Sequence, residues 1–136
     1  MPGHHLVAWQ LRMSFKHRSG RRPLVDLNFH SAGDVTILAL DGRFDAYAAP
    51  RVSDWLDQAT SLDMGNLVVD LANVDFIDST GLATLVKGLK RCRQQDGDLL
   101  LCGLQRPVQV IFELTKLDRA FRIFPSETLA LASIGE

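Results

Sequence analysis

An apolar run followed closely by an amphipathic pattern is the feature that most constrains the fold of this chain. Residues 67–71, with the sequence LVVDL, form the nearly continuous apolar run that is typical of a strand buried on both faces. Further along, apolar residues recur at helical spacing, as Leu82, Leu85, Val86 and Leu89. The two patterns predict a central strand that leads through a short acidic loop into a helix.

Similar patterns place the other elements. Alternating or continuous apolar residues predict strands at residues 24–30, 35–40, 99–104 and 121–124. Helical spacing and the positions of prolines predict helices at residues 47–61, from Pro107 onward, and from Pro125 to Ala132. Strands that alternate with helices indicate parallel pairs joined by right-handed crossovers, whereas the initial hairpin adds an antiparallel pair. We expect a single α/β domain with a mixed β-sheet of about five strands and about four helices, in the order ββαβαβαβα.

The distribution of charge separates a leader from a domain. The chain has 136 residues, of which 46% are apolar, and this suits one globular domain. Residues 1–22 carry five basic residues and no acid, while the remainder has 10 basic and 16 acidic residues, a net charge of −6. We therefore predict a flexible basic leader at residues 1–22 and one domain at residues 23–136. The acidic domain argues against a nucleic-acid groove.

The chain shows neither a membrane segment nor a disulfide framework. Its apolar runs are far shorter than the roughly 18 residues that span a bilayer, and the N-terminus lacks the apolar core of a signal peptide. Cys92 and Cys102 fall within a predicted helix and a predicted strand, outside any CxxC pattern. We expect a cytoplasmic protein without membrane insertion.

Familiar enzyme motifs are missing from the sequence. Neither the P-loop nor the GxGxxG fingerprint is present, and no GxSxG elbow accompanies a serine. The histidines lie in the leader, as His4, His5 and His17, or in the first predicted strand, as His30. No acid or cysteine accompanies the leader histidines in a metal-ligand spacing. We therefore predict no catalytic residue, no cofactor and no metal.

Asp78 and Ser79 lie at the end of the predicted acidic loop, directly before the predicted helix. Two interpretations of these residues are possible. Either side chain can cap the free N–H groups of the helix, a role worth about 1 kcal/mol. Alternatively, an exposed serine at a helix start can accept a phosphoryl group, whose oxygens would meet the positive end of the helix dipole. The two roles are compatible.

The order of elements, together with this segment, resembles the STAS domain of bacterial anti-sigma factor antagonists over about residues 24–133. The most specific part is VVDLANVDFIDSTGLATLV, which is similar to the strand, acidic loop and phosphoacceptor helix of that family. Two other segments, ALDGRFDAYAAP and LQRPVQVIFELTKLDRAFRIFPSETLAL, also resemble family elements. Phe44 and Tyr47 depart from the family pattern, where aliphatic and small residues are usual.

The resemblance implies roles for individual residues. Ser79 matches the serine that a partner kinase phosphorylates, Thr80 fills the next position, and Asp45 matches an acid beside the phosphorylation loop. Asp78 either caps the helix, orients Ser79 or contacts the partner. Gly81 is expected to let a partner or a phosphate approach the backbone.

The resemblance also implies a switch. The unphosphorylated protein would bind an anti-sigma factor with serine kinase activity and release the sigma factor. Phosphorylation of Ser79 would end this binding, and a protein serine phosphatase would restore it. Two alternatives stay open at this stage: an accessory STAS subunit of a lipid or anion transport system, and a scaffold subunit of a stress-signalling assembly.

Overall fold

The computed structural model describes residues 25–61 and 65–135. Five strands are present: β1 (Val25–Ala32), β2 (Val35–Phe44), β3 (Asn66–Ile77), β4 (Asp98–Cys102) and β5 (Arg122–Phe124). Four α-helices alternate with them: α1 (Ala49–Ser61), α2 (Ser79–Gln94), α3 (Arg106–Leu114) and α4 (Glu127–Gly135). A short 3₁₀ helix (Leu117–Arg119) lies between α3 and β5. The predicted fold class and element order are confirmed.

The strands form one mixed sheet in the order β1-β2-β3-β4-β5. β1 and β2 are an antiparallel hairpin, and every later neighbour is parallel. Because each crossover moves in the same direction across the sheet, right-handed connections bring α1, α2 and α3 to a single face. The carboxyl ends of β2 and β3 then lie side by side at one edge, where α1 and α2 begin.

The sheet separates two apolar cores. The larger core contains α1, α2 and α3 and includes the fully buried Trp55, Leu85 and Phe112. The smaller core, on the other face, is covered by α4 through Ala130, with Leu131 packed beside it. α2, which begins at Ser79, therefore packs against the larger of the two cores.

β2 and β3 are longer than the sequence pattern predicts. The predicted second strand ends at residue 40 and the predicted third at residue 71, yet the two strands pair as far as Phe44 and Ile77. Their register shifts twice, between Ala39 and Asp41 and between Gly42 and Arg43, and each shift places one extra residue in β3. Such bulges break the alternation of apolar and polar residues. The predicted acidic loop is therefore largely strand.

Other boundaries differ from prediction by a few residues. α1 begins at Ala49 rather than at residue 47, because residues 46–48 form a turn. The fourth strand covers 98–102 rather than 99–104, the last strand begins at residue 122, and α4 extends to residue 135. The predicted leader, with His4, His5 and His17, lies outside the described residues.

Several sequence-based expectations concern what the chain lacks. In the described ranges, no helix combines the length and apolar character that crossing a membrane requires. Cys92 and Cys102 are free and buried. Burial raises the pKa of the Cys92 thiol to about 11, with a further contribution from Asp98. Burial, together with the charges of Asp70 and Glu127, raises the pKa of the Cys102 thiol to about 12.

Candidate functional site

Asp78 caps α2 and also joins it to the preceding crossover. Its backbone is extended, and its Oδ1 accepts hydrogen bonds from the N–H groups of Thr80 and Gly81, both at 3.0 Å. Its Oδ2 accepts a hydrogen bond from the N–H of Ala46 at 3.2 Å. The capping role predicted for Asp78 is confirmed. One carboxylate therefore holds the first turn of α2 and the turn before α1 together.

Asp45 closes that second turn. Its Oδ1 accepts hydrogen bonds from the N–H groups of Tyr47 at 3.0 Å and Ala48 at 3.2 Å. Its Oδ2 lies 3.6 Å from Nε of Arg43, and 17% of the Asp45 side chain is exposed. Asp45 thus has a structural role of its own at the start of the α1 segment.

Parallel pairing brings Asp45 and Asp78 to the same edge of the sheet. Phe44 is the register partner of Ile77, and the N–H of Asp78 donates to the carbonyl of Phe44 at 3.3 Å. Each aspartate directly follows one of these paired residues. Asp45, which the resemblance places beside the phosphorylation loop, therefore lies next to the start of α2 in space. In the sequence it is 33 positions from Asp78.

Ser79 and Thr80 are the first two residues of α2, and both are exposed. The Thr80 carbonyl accepts a hydrogen bond from the Thr84 hydroxyl at 2.9 Å, within the helix. Asp75, also exposed, stands four positions before Ser79 on β3. Ser79 is consequently accessible at the surface, and it directly follows the Asp78 carboxylate.

Gly81 differs from expectation, because it faces inward. It is buried, and a Cβ at this position would lie 2.6 Å from the carbonyl oxygen of Phe44 and 2.9 Å from Cγ1 of Ile77. Glycine is needed here because the helix start sits directly on the ends of β2 and β3. Gly81 therefore acts by close packing within the chain rather than by opening the backbone to a partner.

The aromatic residues near the site divide between core and surface. Phe44 is fully buried and Leu82 is 8% exposed, so neither is an exposed apolar anchor. Tyr47, in contrast, is 76% exposed. Phe76 is partly exposed, and the guanidinium carbon of Arg43 lies 4.0 Å from its ring centroid. The sequence does not indicate that Phe76 is exposed, because the bulges in β3 break the alternation that would show its orientation.

The side chains around Ser79 are of few chemical kinds. Within the described part of the chain, no group of three or more His, Cys, Asp or Glu side chains could hold a metal ion. What the segment does offer is an exposed hydroxyl, two turn-capping carboxylates and an exposed aromatic ring.

Comparison with known proteins identifies the fold family. The sequence model of the STAS domain matches residues 26–130. The chain belongs to the STAS domain family. This STAS domain is 37% identical over 82 residues to the anti-sigma-B factor antagonist of Listeria monocytogenes, a match that covers 60% of this chain and 72% of the relative.

Solved structures agree with this assignment. A putative anti-sigma factor antagonist from Thermotoga maritima has a TM-score of 0.78 at 23% identity, covering 81% of this STAS domain chain and 95% of the neighbour. The Bacillus cell fate determinant SpoIIAA in its phosphorylated form has a TM-score of 0.65 at 14% identity, covering 79% and 98% of the two chains. At these identities the two structures establish the shared fold.

Proposed function

We propose that this STAS protein is an anti-sigma factor antagonist whose binding is switched off by phosphorylation of Ser79. The observation that carries the proposal is the exposed Ser79 at the first position of α2, directly after the capping residue Asp78. The relative from Listeria, named an anti-sigma-B factor antagonist, supports the choice of partner. The existence of a fold neighbour in a phosphorylated form supports the choice of switch.

The unphosphorylated form binds an anti-sigma factor that has serine kinase activity, and the bound anti-sigma factor releases its sigma factor. The kinase then transfers the γ-phosphoryl group of ATP to the Ser79 oxygen: the bond from the γ-phosphorus to the β,γ-bridging oxygen breaks, ADP leaves, and the hydroxyl proton passes to a base of the kinase. A protein serine phosphatase removes the phosphate and restores binding. The STAS protein is the substrate in both reactions, and the catalytic groups belong to its partners.

The hydrogen bonds of Asp78 determine how a phosphate would act. The N–H groups of Thr80 and Gly81 already donate to Asp78, so a phosphate on Ser79 finds them occupied. The helix dipole still attracts the phosphate by about 0.3–1 kcal/mol. Against this, about −1.5 to −2 charges are added beside the Asp78 carboxylate. We therefore propose a change of surface charge that leaves the fold intact.

That change is enough to end binding. In the free protein, water screens the repulsion among the phosphate, Asp78 and the nearby Asp45. At an interface the screening is lost, and each 1.4 kcal/mol of repulsion or desolvation weakens binding about tenfold. Asp45, Asp78 and Thr80 form the immediate surroundings of Ser79 that a partner must accommodate, and Gly81 contributes by holding α2 in place.

Phosphate incorporation tests the proposal. The protein is incubated with ATP and the anti-sigma factor kinase encoded in the same genome, and modified residues are mapped by mass spectrometry. We expect one phosphate on Ser79, none in Ser79→Ala, and normal incorporation in Thr80→Ala, which removes the neighbouring hydroxyl. Equal incorporation in Ser79→Ala would contradict the assignment. An accessory transport subunit or a scaffold subunit would share the fold but would not need this modification.

A further inference from the structure

The leader, residues 1–22, joins the domain at the edge of the sheet that carries Ser79. β1 is antiparallel to β2, and its first residue, Val25, is the register partner of Gly42. Gly42 lies two residues before Phe44, where β2 ends. β1 therefore begins at the edge where β2 and β3 end. A parallel β1 would have joined the leader to the opposite edge.

Basic residues of the leader are close enough along the chain to reach Ser79. Ser79 is displaced from Val25 by two strand spacings of about 4.8 Å and by a rise of about four residues, which together amount to roughly 16 Å. An extended residue spans about 3.5 Å, so the backbone of Arg21 can lie up to about 14 Å from Val25 and that of Arg18 up to about 24 Å. Once the length of a side chain is added, either guanidinium group can contact Ser79.

This edge of the sheet and the leader carry opposite charges. Residues 41–45 and 75–78 contain four aspartates and one arginine, a net charge of −3, whereas the leader has five basic residues and no acid. Asp41 and Asp75 are exposed. A phosphate on Ser79 would add about −1.5 to −2 charges at the same edge. The charges of the phosphorylated edge and of the leader would then nearly balance.

Two sets of hydrogen-bond donors near Ser79 already have partners. In the first turn of α2, two backbone N–H groups donate to Asp78. At the end of β2, Nε of Arg43 lies 3.6 Å from Oδ2 of Asp45, and its guanidinium carbon lies 4.0 Å from the centre of the Phe76 ring. A phosphate on Ser79 would therefore draw its donors from another part of the chain.

Arginine binds a phosphate more strongly than an exposed carboxylate. Exposed pairs of arginine and carboxylate stabilise a protein little, because water screens them. A phosphate has three oxygens and more charge, and the planar guanidinium group can donate two parallel hydrogen bonds to it. A tether of a few residues also raises the effective concentration of the arginines to about millimolar. We therefore expect the leader to contact Ser79 mainly after phosphorylation.

We propose that leader arginines bind the phosphate of phosphorylated Ser79 within the same chain and thereby hinder its removal by the phosphatase. This inference rests on the proposed function, because it concerns the phosphorylated form. In the phosphatase reaction, water attacks the phosphorus and the bond from phosphorus to the Ser79 oxygen breaks. That oxygen takes a proton from the water, and inorganic phosphate leaves. Arginines that pair with the phosphate oxygens exclude the phosphatase from them.

The test uses the full chain with phosphoserine incorporated at Ser79 by genetic encoding, so that the result does not depend on any kinase. The test variant neutralises the three arginines of the leader that are closest to the domain: Arg18→Gln, Arg21→Gln and Arg22→Gln. The matched control neutralises three exposed cations at the opposite edge of the sheet, where β5 begins: Lys116→Gln, Arg119→Gln and Arg122→Gln. Thermal melts establish that each protein is folded.

Two measurements follow the phosphate. Phosphorus NMR gives its second pKa, which guanidinium groups lower because they favour the dianion. The release of inorganic phosphate by alkaline phosphatase gives the rate of removal. We expect the pKa to be higher in the leader variant by about 0.5 or more and removal to be about threefold faster, since one pairing equilibrium determines both. The control should behave like the wild type.

Equal pKa values in the wild type and the leader variant would overturn the proposal, and so would a control that shifts as far as the leader variant. A shifted pKa with equal rates of removal would contradict the protection of the phosphate. A pKa that changes with protein concentration would assign the contact to the leader of a second chain and overturn an intramolecular contact. The proposed function fails separately, if the anti-sigma factor kinase does not modify Ser79 of the wild type.

Discussion

The carboxylate of Asp78 accepts a hydrogen bond from the backbone N–H of Ala46, a residue 32 positions earlier in the chain, at 3.2 Å. The same carboxylate caps α2 through Thr80 and Gly81. Three N–H groups at two separate turns therefore depend on one side chain. This arrangement ties the position of Ser79 to the crossover that precedes α1.

Replacing Asp78 by alanine should destabilise the protein by about 2 kcal/mol, because the helix loses its cap and the Ala46 N–H loses its acceptor. Asp78→Asn should cost less, since its amide oxygen still accepts two of the bonds. Urea denaturation measures both. Asp75→Ala removes an exposed acid three positions away and should change the free energy of unfolding by less than about 0.5 kcal/mol. Equal losses of stability for Asp78→Ala and Asp75→Ala would contradict the role of Asp78 in joining α2 to the turn before α1.

Gly81→Ala should destabilise the protein even though alanine is the better helix former. A Cβ at residue 81 would lie 2.6 Å from the Phe44 carbonyl oxygen, which is backbone and cannot yield without moving α2 or β2. We expect a net loss of about 1–3 kcal/mol, the range typical of overpacking. The gain in helix propensity, about 1 kcal/mol, offsets only part of the strain.

Gly88→Ala, in the same helix, is the matched control. A Cβ there would lie 3.0 Å from the Cδ1 atoms of Leu56 and Leu99, which are ends of flexible side chains. Its loss of stability, measured by the same urea titration, should be clearly smaller than that of Gly81→Ala. A larger loss for Gly88→Ala would mean that contact with the Phe44 carbonyl does not control the position of α2.

The parts of the fold that the sequence predicts well are those whose signal is local. The core-facing residues Leu82, Leu85 and Leu89 repeat at helical spacing, and the same buried face appears in α2. The cap at Asp78 is also local, since two of its three bonds reach the next three residues.

The parts that the sequence does not predict depend on long-range contacts. The ends of β2 and β3 are hidden because two bulges shift the alternation on which strand prediction relies. The buried role of Gly81 requires Phe44, which lies 37 positions earlier. The bond to Ala46 likewise exists only because parallel pairing places two strand ends together. Local periodicity contains no information about any of these contacts.

Glu127 should make stability depend on pH. A hydrogen bond with Asp70, followed by burial and the Asp70 charge, raises the pKa of Glu127 from 4.5 to about 7. The folded state therefore holds the proton more tightly than the unfolded state. The stabilisation from this carboxyl is complete below pH 4.5 and is lost as the pH rises from 4.5 through 7. The glutamine side chain of Glu127→Gln offers hydrogen-bond donors at every pH. This variant should therefore lose less stability over this interval.

This effect is measured by comparing the urea midpoints of the wild type and Glu127→Gln, first at low pH and then above neutrality. The two midpoints should lie close together at low pH, and Glu127→Gln should be the more stable protein above pH 7. Glu113→Gln makes the same change at an exposed residue of α3 and should follow the wild type throughout. Parallel pH profiles for the wild type and Glu127→Gln would show that Glu127 does not titrate as expected.

A negative charge at residue 79 should weaken binding to the anti-sigma factor kinase without unfolding the protein. Ser79→Asp adds one charge beside Asp78, whereas Ser79→Asn adds a side chain of the same size without charge. An acidic residue in the first helical turn is favourable for the dipole, so Ser79→Asp should melt at or near the wild-type temperature.

Calorimetry should show weaker binding for Ser79→Asp than for Ser79→Asn, and the phosphorylated protein, which carries more charge, should bind more weakly than either. Equal affinities for Ser79→Asp and Ser79→Asn at low salt, together with full binding by the phosphorylated protein, would contradict an electrostatic switch at this serine.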